Sequence, residues 1–257
     1  MTHVEIISHQ DNSEWARVFE EVAQAFDDAL TGTKVKLAFG AHLLAKDDPA
    51  LKGHTLYQSE QIIPGNEWVT PAYLDILKRH NVWDYSPANI KALKKHGVKA
   101  KLVPVRYMPS MTRFQCLPPE QQDIDVLFYG STNKRRILIL NDLIRAGCRV
   151  HKIYSVFGAE RDAWIARSKI VLNTHNRDGG IFEIFRCAHL FANSKCVVSE
   201  TGSDPKLEAL YKDCASFCSR EEVVATCVDL LRNDAKRLRR EFMALENFKT
   251  PLLSAAI

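Results

Sequence analysis

The stretch from Ala166 to Glu200, ARSKIVLNTHNRDGGIFEIFRCAHLFANSKCVVSE, decides the fold class. Lys169 to Thr174 carries the apolar run of a buried strand, Gly179-Gly180 frees the backbone, a helical apolar period opens at Glu183, and Cys196 to Ser199 is apolar strand again. Strand, loop, helix and strand form one βαβ unit, the crossover a parallel strand pair requires. In open α/β sheets ligands collect beyond the carboxyl ends of the strands, where helix N-termini offer N–H groups to anions. His175 and Glu200 each follow a strand end. The unit therefore presents an anion-accepting turn flanked by polar side chains, suited to a phosphorylated small molecule.

The same alternation extends outward on both sides. Upstream, the spacing predicts strands at 4–8, 35–44 (carrying Gly40 and His42), 55–58, 81–85 and 101–105, with helices at 13–30, 71–78 and 88–96. Ser86-Pro87 supplies an N-cap and a first-turn proline for the last of these helices, and Gly97 closes it. From Arg106 to Asp123 the pattern dissolves, with prolines at 109, 118 and 119, and this is the expected domain boundary. A second series follows, with strands at 125–129 and 150–154 and helices at 135–146 and 159–167 before the opening unit, then helices at 221–232 and 235–248. The expected domains are residues 1–110 and 124–257, each a doubly wound parallel sheet.

Composition excludes several classes. With 257 residues, 46% hydrophobic and 26% charged, the chain has enough apolar material for two modest cores. A net charge of +4 is too small and too dispersed for nucleic-acid binding by field strength, and the cluster at Lys236-Arg237 with Arg239-Arg240 reads as a solvated helix face. No run is long enough for a transmembrane segment and the N-terminus has no leader pattern, so the expected location is cytoplasmic. Seven cysteines in apolar contexts read as reduced core residues. Cys214 and Cys218 lack the spacing and partners of a zinc site, so no metal and no cofactor is expected.

Chemistry can sit at three places. DVLFYGSTNKRR, from Asp125, runs a strand into Gly130 and Ser131 and then into a basic helix start, where Asn133 can cap and Lys134 or Arg135 can neutralise phosphate oxygens. Cations oppose the dipole at a helix N-terminus, a conflict that an anion relieves; the alternative is an ordinary turn with a solvated basic face. The loop is neither a GxxxxGK phosphate loop nor a GxGxxG dinucleotide turn. Glu183 and Arg186 share a helix face, either as a structural pair or with the acid accepting sugar hydroxyls beside Gly180 and His175. In the first half, His42, Glu60 and Asp84 interrupt apolar runs; they form a buried hydrogen-bond network, or they supply a general base and its orienting group.

With two doubly wound halves, the extended 106–123 connection, DVLFYGSTNKRR and the later FEIFR, the chain resembles the GT-B glycosyltransferases of group 1, including the CgeB-like proteins. WDYSPANIKAL and VPVRYMP in the front half are similar to the family's helix and the strand leading into its interdomain linker. The resemblance implies two Rossmann-like domains facing a cleft and transfer of a sugar from a nucleoside diphosphate sugar to an acceptor hydroxyl on a glycan, lipid-linked sugar, protein or metabolite. It assigns donor binding to Gly130, Ser131, Lys134, Arg135, Glu183 and the helix N-terminus near Gly180, without an obligatory metal; the reading of the residues themselves adds Asn133, His175 and Arg186 to the donor site. His42, Glu60 and Asp84 are the catalytic candidates if the reaction inverts; if it retains, the donor phosphate assists. The alternative is a non-catalytic protein that keeps the nucleotide site for regulation or scaffolding.

Overall fold

The computed structural model describes residues 4–6, 13–44, 46 and 48–250, and the chain divides into two compact units between Ser110 and Met111. The first unit holds a five-stranded parallel sheet of β1 (Val4–Ile6), β2 (Leu37–Phe39), β3 (Thr55–Gln58), β4 (Asn81–Asp84) and β5 (Ala100–Leu102), standing in sequence order. Its helices are α1 (Ser13–Leu30), α2 (Pro71–Arg79) and α3 (Pro87–Lys95). Phe26 of α1 packs at a tilt against Phe39 and Tyr57, ring centroids 5.8 and 5.1 Å away, which fastens the helix to the sheet. Ile7 and Ser8, expected to continue the first strand, lie outside the described residues.

Two strands are shorter than their apolar runs. Val35 to Leu44 does not continue as one strand: Gly40 turns left-handed at φ +89° and throws Ala41–Leu43 into a single 3-10 turn, which carries His42 out of the sheet. β5 stops at Leu102, two residues before Pro104, which has no N–H to give a ladder. α3 starts as the sequence requires, with the Ser86 hydroxyl accepting from Asn89 N–H at 3.1 Å.

The second unit holds β6 (Ile124–Tyr129), β7 (Val150–Ile153), β8 (Ser168–Asn173), β9 (Val197–Glu200) and β10 (Ser216–Cys218), all parallel, in the order β10-β9-β8-β6-β7. Its helices are α4 (Lys134–Arg145), α5 (Gly158–Ala166), α6 (Ile184–Ala192), α7 (Pro205–Leu210), α8 (Val223–Arg232) and α9 (Asp234–Lys249). Val126, Phe128, Ile170, Leu172 and Val198 pack one face of the sheet against Ile139, Leu140 and Leu143 of α4 and Val223, Cys227 and Leu230 of α8. Aromatic rings of Phe182, Phe191, Tyr211, Phe217 and Phe248 form a second cluster, with Phe182 and Phe217 4.9 Å apart. Strand order reverses between β6 and β8, because the chain leaves β6 towards β7 and then returns to the other side. The carboxyl ends of these two strands flank the crevice where doubly wound sheets take ligands.

Residues 111–123 pack with the second unit. Asn193, at the C-terminus of α6, accepts the N–H groups of Arg113 and Phe114 at 2.7 and 3.0 Å and donates to the carbonyls of Met111 and His189 at 2.8 and 2.7 Å. Arg113 also pairs with Asp162 at 3.2 Å. All seven cysteines are free, and burial pushes the Cys196 and Cys214 thiols up to about 12. Among the described residues no helix is long and apolar enough to cross a membrane.

Candidate functional site

β6 runs into Gly130, whose φ of +122° suits glycine and whose added Cβ would stand 3.0 Å from the Arg186 guanidinium. Ser131 follows, exposed. Asn133 caps α4: its Oδ1 accepts from Arg136 N–H at 3.0 Å, while its Nδ2 donates to the Asn176 side chain at 2.8 Å. Lys134, the first residue of α4, is exposed and makes no ion pair among the described residues. The turn is thus shaped by backbone and cap, and one lysine at its rim carries charge into solvent.

Arg135 faces inward. Its guanidinium grips Glu200 through both carboxylate oxygens, NH1 at 2.7 Å, and its Nε reaches Asp178 at 2.7 Å. NH1 also donates to the His175 carbonyl, and Glu200 accepts the His175 N–H, each at 3.1 Å. Burial alone would raise the Glu200 carboxyl, but Arg135 and the His175 N–H hold it below the usual range. Arg135 therefore ties together the ends of β8 and β9.

Arg136 occupies the charged position that sequence reasoning passed over. It is 3% exposed and donates to the Thr174 carbonyl at 2.7 and 3.1 Å, to the Ser131 carbonyl at 2.9 Å and to Glu183 at 2.8 Å. A signal was present, because Arg136 begins the stripe 136, 139, 140, 143 that α4 buries. Glu183 is shared: its other oxygen takes Arg186 NH2 at 2.8 Å. Although it stands at the N-cap of α6, Glu183 caps nothing with its side chain. Two guanidinium groups outcompete the helix N–H groups for it. Burial would raise the Glu183 carboxyl, and Arg186 and Arg136 hold it low instead.

Arg186 lies over the rings of Phe128 and Tyr129, 5.8 and 5.4 Å from their centroids. Three guanidinium groups, Arg135, Arg136 and Arg186, meet three carboxylates, Asp178, Glu183 and Glu200, and among these side chains Lys134 at the rim adds one excess positive charge. His175 is 2% exposed, its ring pressed between Gly180 and Gly202. A Cβ at Gly180 would meet the ring at 2.8 Å, and one at Gly202 would meet the Gly180 carbonyl at 2.3 Å. Burial lowers the pKa of the ring against the pull of Glu183 and Glu200. Gly202 and Asn173, which also approach this cluster, carried no sequence signal because their role depends on residues from other strands.

In the first unit His42 is 5% exposed, with its Nε2 3.4 Å from Glu60 and its ring edge-on to Phe19, Trp68 and Tyr73. Burial lowers its pKa to about 4, so the ring is neutral at pH 7. Asp84 is fully buried and accepts from Gln58 Nε2 at 2.7 Å, Ser86 N–H at 2.8 Å and Asn89 Nδ2 at 3.2 Å. Gln58 and Asn89 carry the network on to the Glu60 backbone. Of the two readings left open for these residues, Asp84 has the geometry of the buried network and His42 with Glu60 that of a paired acid and base.

No family model matches the chain. Over 174 residues it is 32% identical to the uncharacterised protein L140 of Acanthamoeba polyphaga mimivirus, covering 63% of this chain and 56% of the relative. The uncharacterised protein L138 of the same virus is 29% identical over 118 residues, 45% of this chain and 13% of that one. The chain thus spans about half or less of the curated relatives it matches. Among solved structures, Anabaena HepE in complex with UDP and glucose superposes with a TM-score of 0.55 at 12% identity, over 95% of this chain and 72% of that one. WaaG, a glycosyltransferase involved in lipopolysaccharide biosynthesis, gives 0.54 at 11% identity over 96% and 81%. Sucrose-phosphate synthase from Thermosynechococcus elongatus gives 0.55 at 10% over 95% and 75%. The shared fold is that of the GT-B glycosyltransferases. The comparisons carry the fold and do not single out the CgeB-like group.

Proposed function

We propose that the protein transfers a glycosyl group from a nucleoside diphosphate sugar, bound at the crevice between β6 and β8, to an acceptor hydroxyl. The observation that carries this reading is the Arg136–Glu183–Arg186 triad beside Gly130, two guanidinium groups around one carboxylate at the strand-order reversal. A diphosphate seated at the Gly130 turn meets that excess charge, with Arg186 nearest the turn and Lys134 at the rim. Arg135 orders the crevice through Glu200 and leaves phosphate contact to its neighbours. Complexes of HepE with UDP and with UDP-glucose support the choice of ligand class.

In the reaction the bond between the anomeric carbon and the diphosphate oxygen breaks as the acceptor oxygen bonds that carbon, and positive side chains stabilise the departing charge. The acceptor's proton needs a base. Neutral His42, paired with Glu60, is our candidate in an inverting reaction; Asp84 holds the strand ends that position the pair. The burial of His42 favours one second reading, a nucleotide-binding protein without turnover. Calorimetry with UDP, followed by an assay for UDP released from UDP-glucose, tests both. Binding weakened in Arg186→Met supports the site; binding with no release under any acceptor supports the second reading; no binding sinks both.

A further inference from the structure

The second unit carries another cavity, of about 300 Å³, lined by Lys212, Ser216, Phe217, Asp229, Lys236 and Arg240 among others. α8 follows the carboxyl end of β10 and runs about 15 Å along the sheet, so Asp229 in its last turns and the start of α9 reach the end where strands begin. The Gly130 and Glu183 crevice lies at the opposite end. Charge around this cavity is unbalanced. Three cations face a single carboxylate, Asp229, which Lys236 already engages at 2.5 Å. Lys212 and Arg240 have no ion-pair partner among the described residues. Lys236 also sits in the first turn of α9, where the helix dipole disfavours a cation.

An anion between these groups would relieve the mutual repulsion and the dipole conflict together. Among the described residues β10 is an edge strand whose outer backbone groups have no strand partner, and Phe217 supplies an apolar wall. A volume of about 300 Å³ has room for a phosphate and an attached ring. We propose that this cavity binds a phosphate monoester, with the phosphate held by Lys212, Lys236 and Arg240 and the body of the ligand against Phe217. A soluble sugar phosphate and the headgroup of a phosphatidic acid share that chemistry.

Phenyl phosphate is the probe, titrated calorimetrically into the full chain with and without saturating UDP. Binding that survives UDP and weakens roughly tenfold or more in Lys212→Gln with Arg240→Gln supports the site. Asp229→Asn, which removes the one opposing charge, should tighten it, and thermal melts of each variant verify the fold. Absence of binding, full competition by UDP, equal affinity in the double variant, or weaker binding in Asp229→Asn would each overturn the proposal. Sedimentation with vesicles containing phosphatidic acid, but not with pure phosphatidylcholine, assigns the lipid source; phenyl phosphate binding without it assigns a soluble one. Loss of UDP binding alone sinks the donor reading and leaves this one standing.

Discussion

Replacing Glu183 by Gln removes the one negative charge between Arg136 and Arg186 while keeping the shape of the side chain. Each guanidinium lies 2.8 Å from a Glu183 oxygen, and Arg136 is 3% exposed, so the change strands a buried cation. Breaking a buried pair costs roughly 3 to 5 kcal/mol. Glu183 is 17% exposed and Arg186 16%, and the new amide oxygen can still accept one hydrogen bond, so the low end applies: about 3 kcal/mol. For a protein of this size that lowers Tm by roughly 6 to 12 °C. A surface acid in a first helical turn would cost only about 0.3 to 1 kcal/mol. The assay is thermal unfolding by circular dichroism of both proteins from pH 7 downward. Because the folded carboxyl titrates below its ordinary value of 4.5, its contribution is complete above that pH and fades as pH falls through the folded value. The difference between the proteins should therefore shrink below pH 4.5. Melting points within a degree of each other at pH 7, or a gap that ignores pH, would refute the ion-triad account.

Two other perturbations probe different parts of the molecule. His42 titrates at about 4 when folded against 6.5 unfolded, so falling pH protonates the unfolded chain first and stability drains between those values, by about 3 kcal/mol in total. In His42→Phe, which keeps a ring among Phe19, Trp68 and Tyr73, urea unfolding should lose that part of the pH slope; parallel slopes would contradict the buried neutral imidazole. Gly202→Ala drives a methyl to 2.3 Å from the Gly180 carbonyl and should cost several kcal/mol, whereas Gly179→Ala meets nothing within 4 Å and costs roughly 1 to 2 kcal/mol for its positive φ. Melting temperatures that rank the two in the other order would contradict the clamp on His175.

What the sequence disclosed follows the range of the forces involved. Period and caps are local, so α1, α3, α4 and β6 to β9 were legible from residues within a few positions of each other. Ser86-Pro87 and Asn133 announced their helices by hydrogen bonds to residues three places on. The 35–44 strand misled because apolar runs do not reveal where a glycine will turn left-handed. β10, three residues long, was too short for any period to show. At the candidate site the basic helix start was visible, but which arginine turned inward was not settled by adjacency. Arg135 and Arg136 are adjacent and go to different acids, Glu200 and Glu183, brought there by β9 and α6. Such partners, 65 and 47 positions away, leave no local pattern.

The four hydrogen bonds of Asn193 bear on how the chain can be taken apart. A fragment starting at Ile124, where the strand pattern resumes, would delete Met111, Arg113 and Phe114 and leave the amide of Asn193 with one of its four partners, His189. It would also strip Asp162 of Arg113. A fragment starting at Met111 carries its own strap with it. Any recombination of this second unit with a foreign first half should therefore join at Ser110 and keep the thirteen residues before Ile124 with the sheet they fasten to.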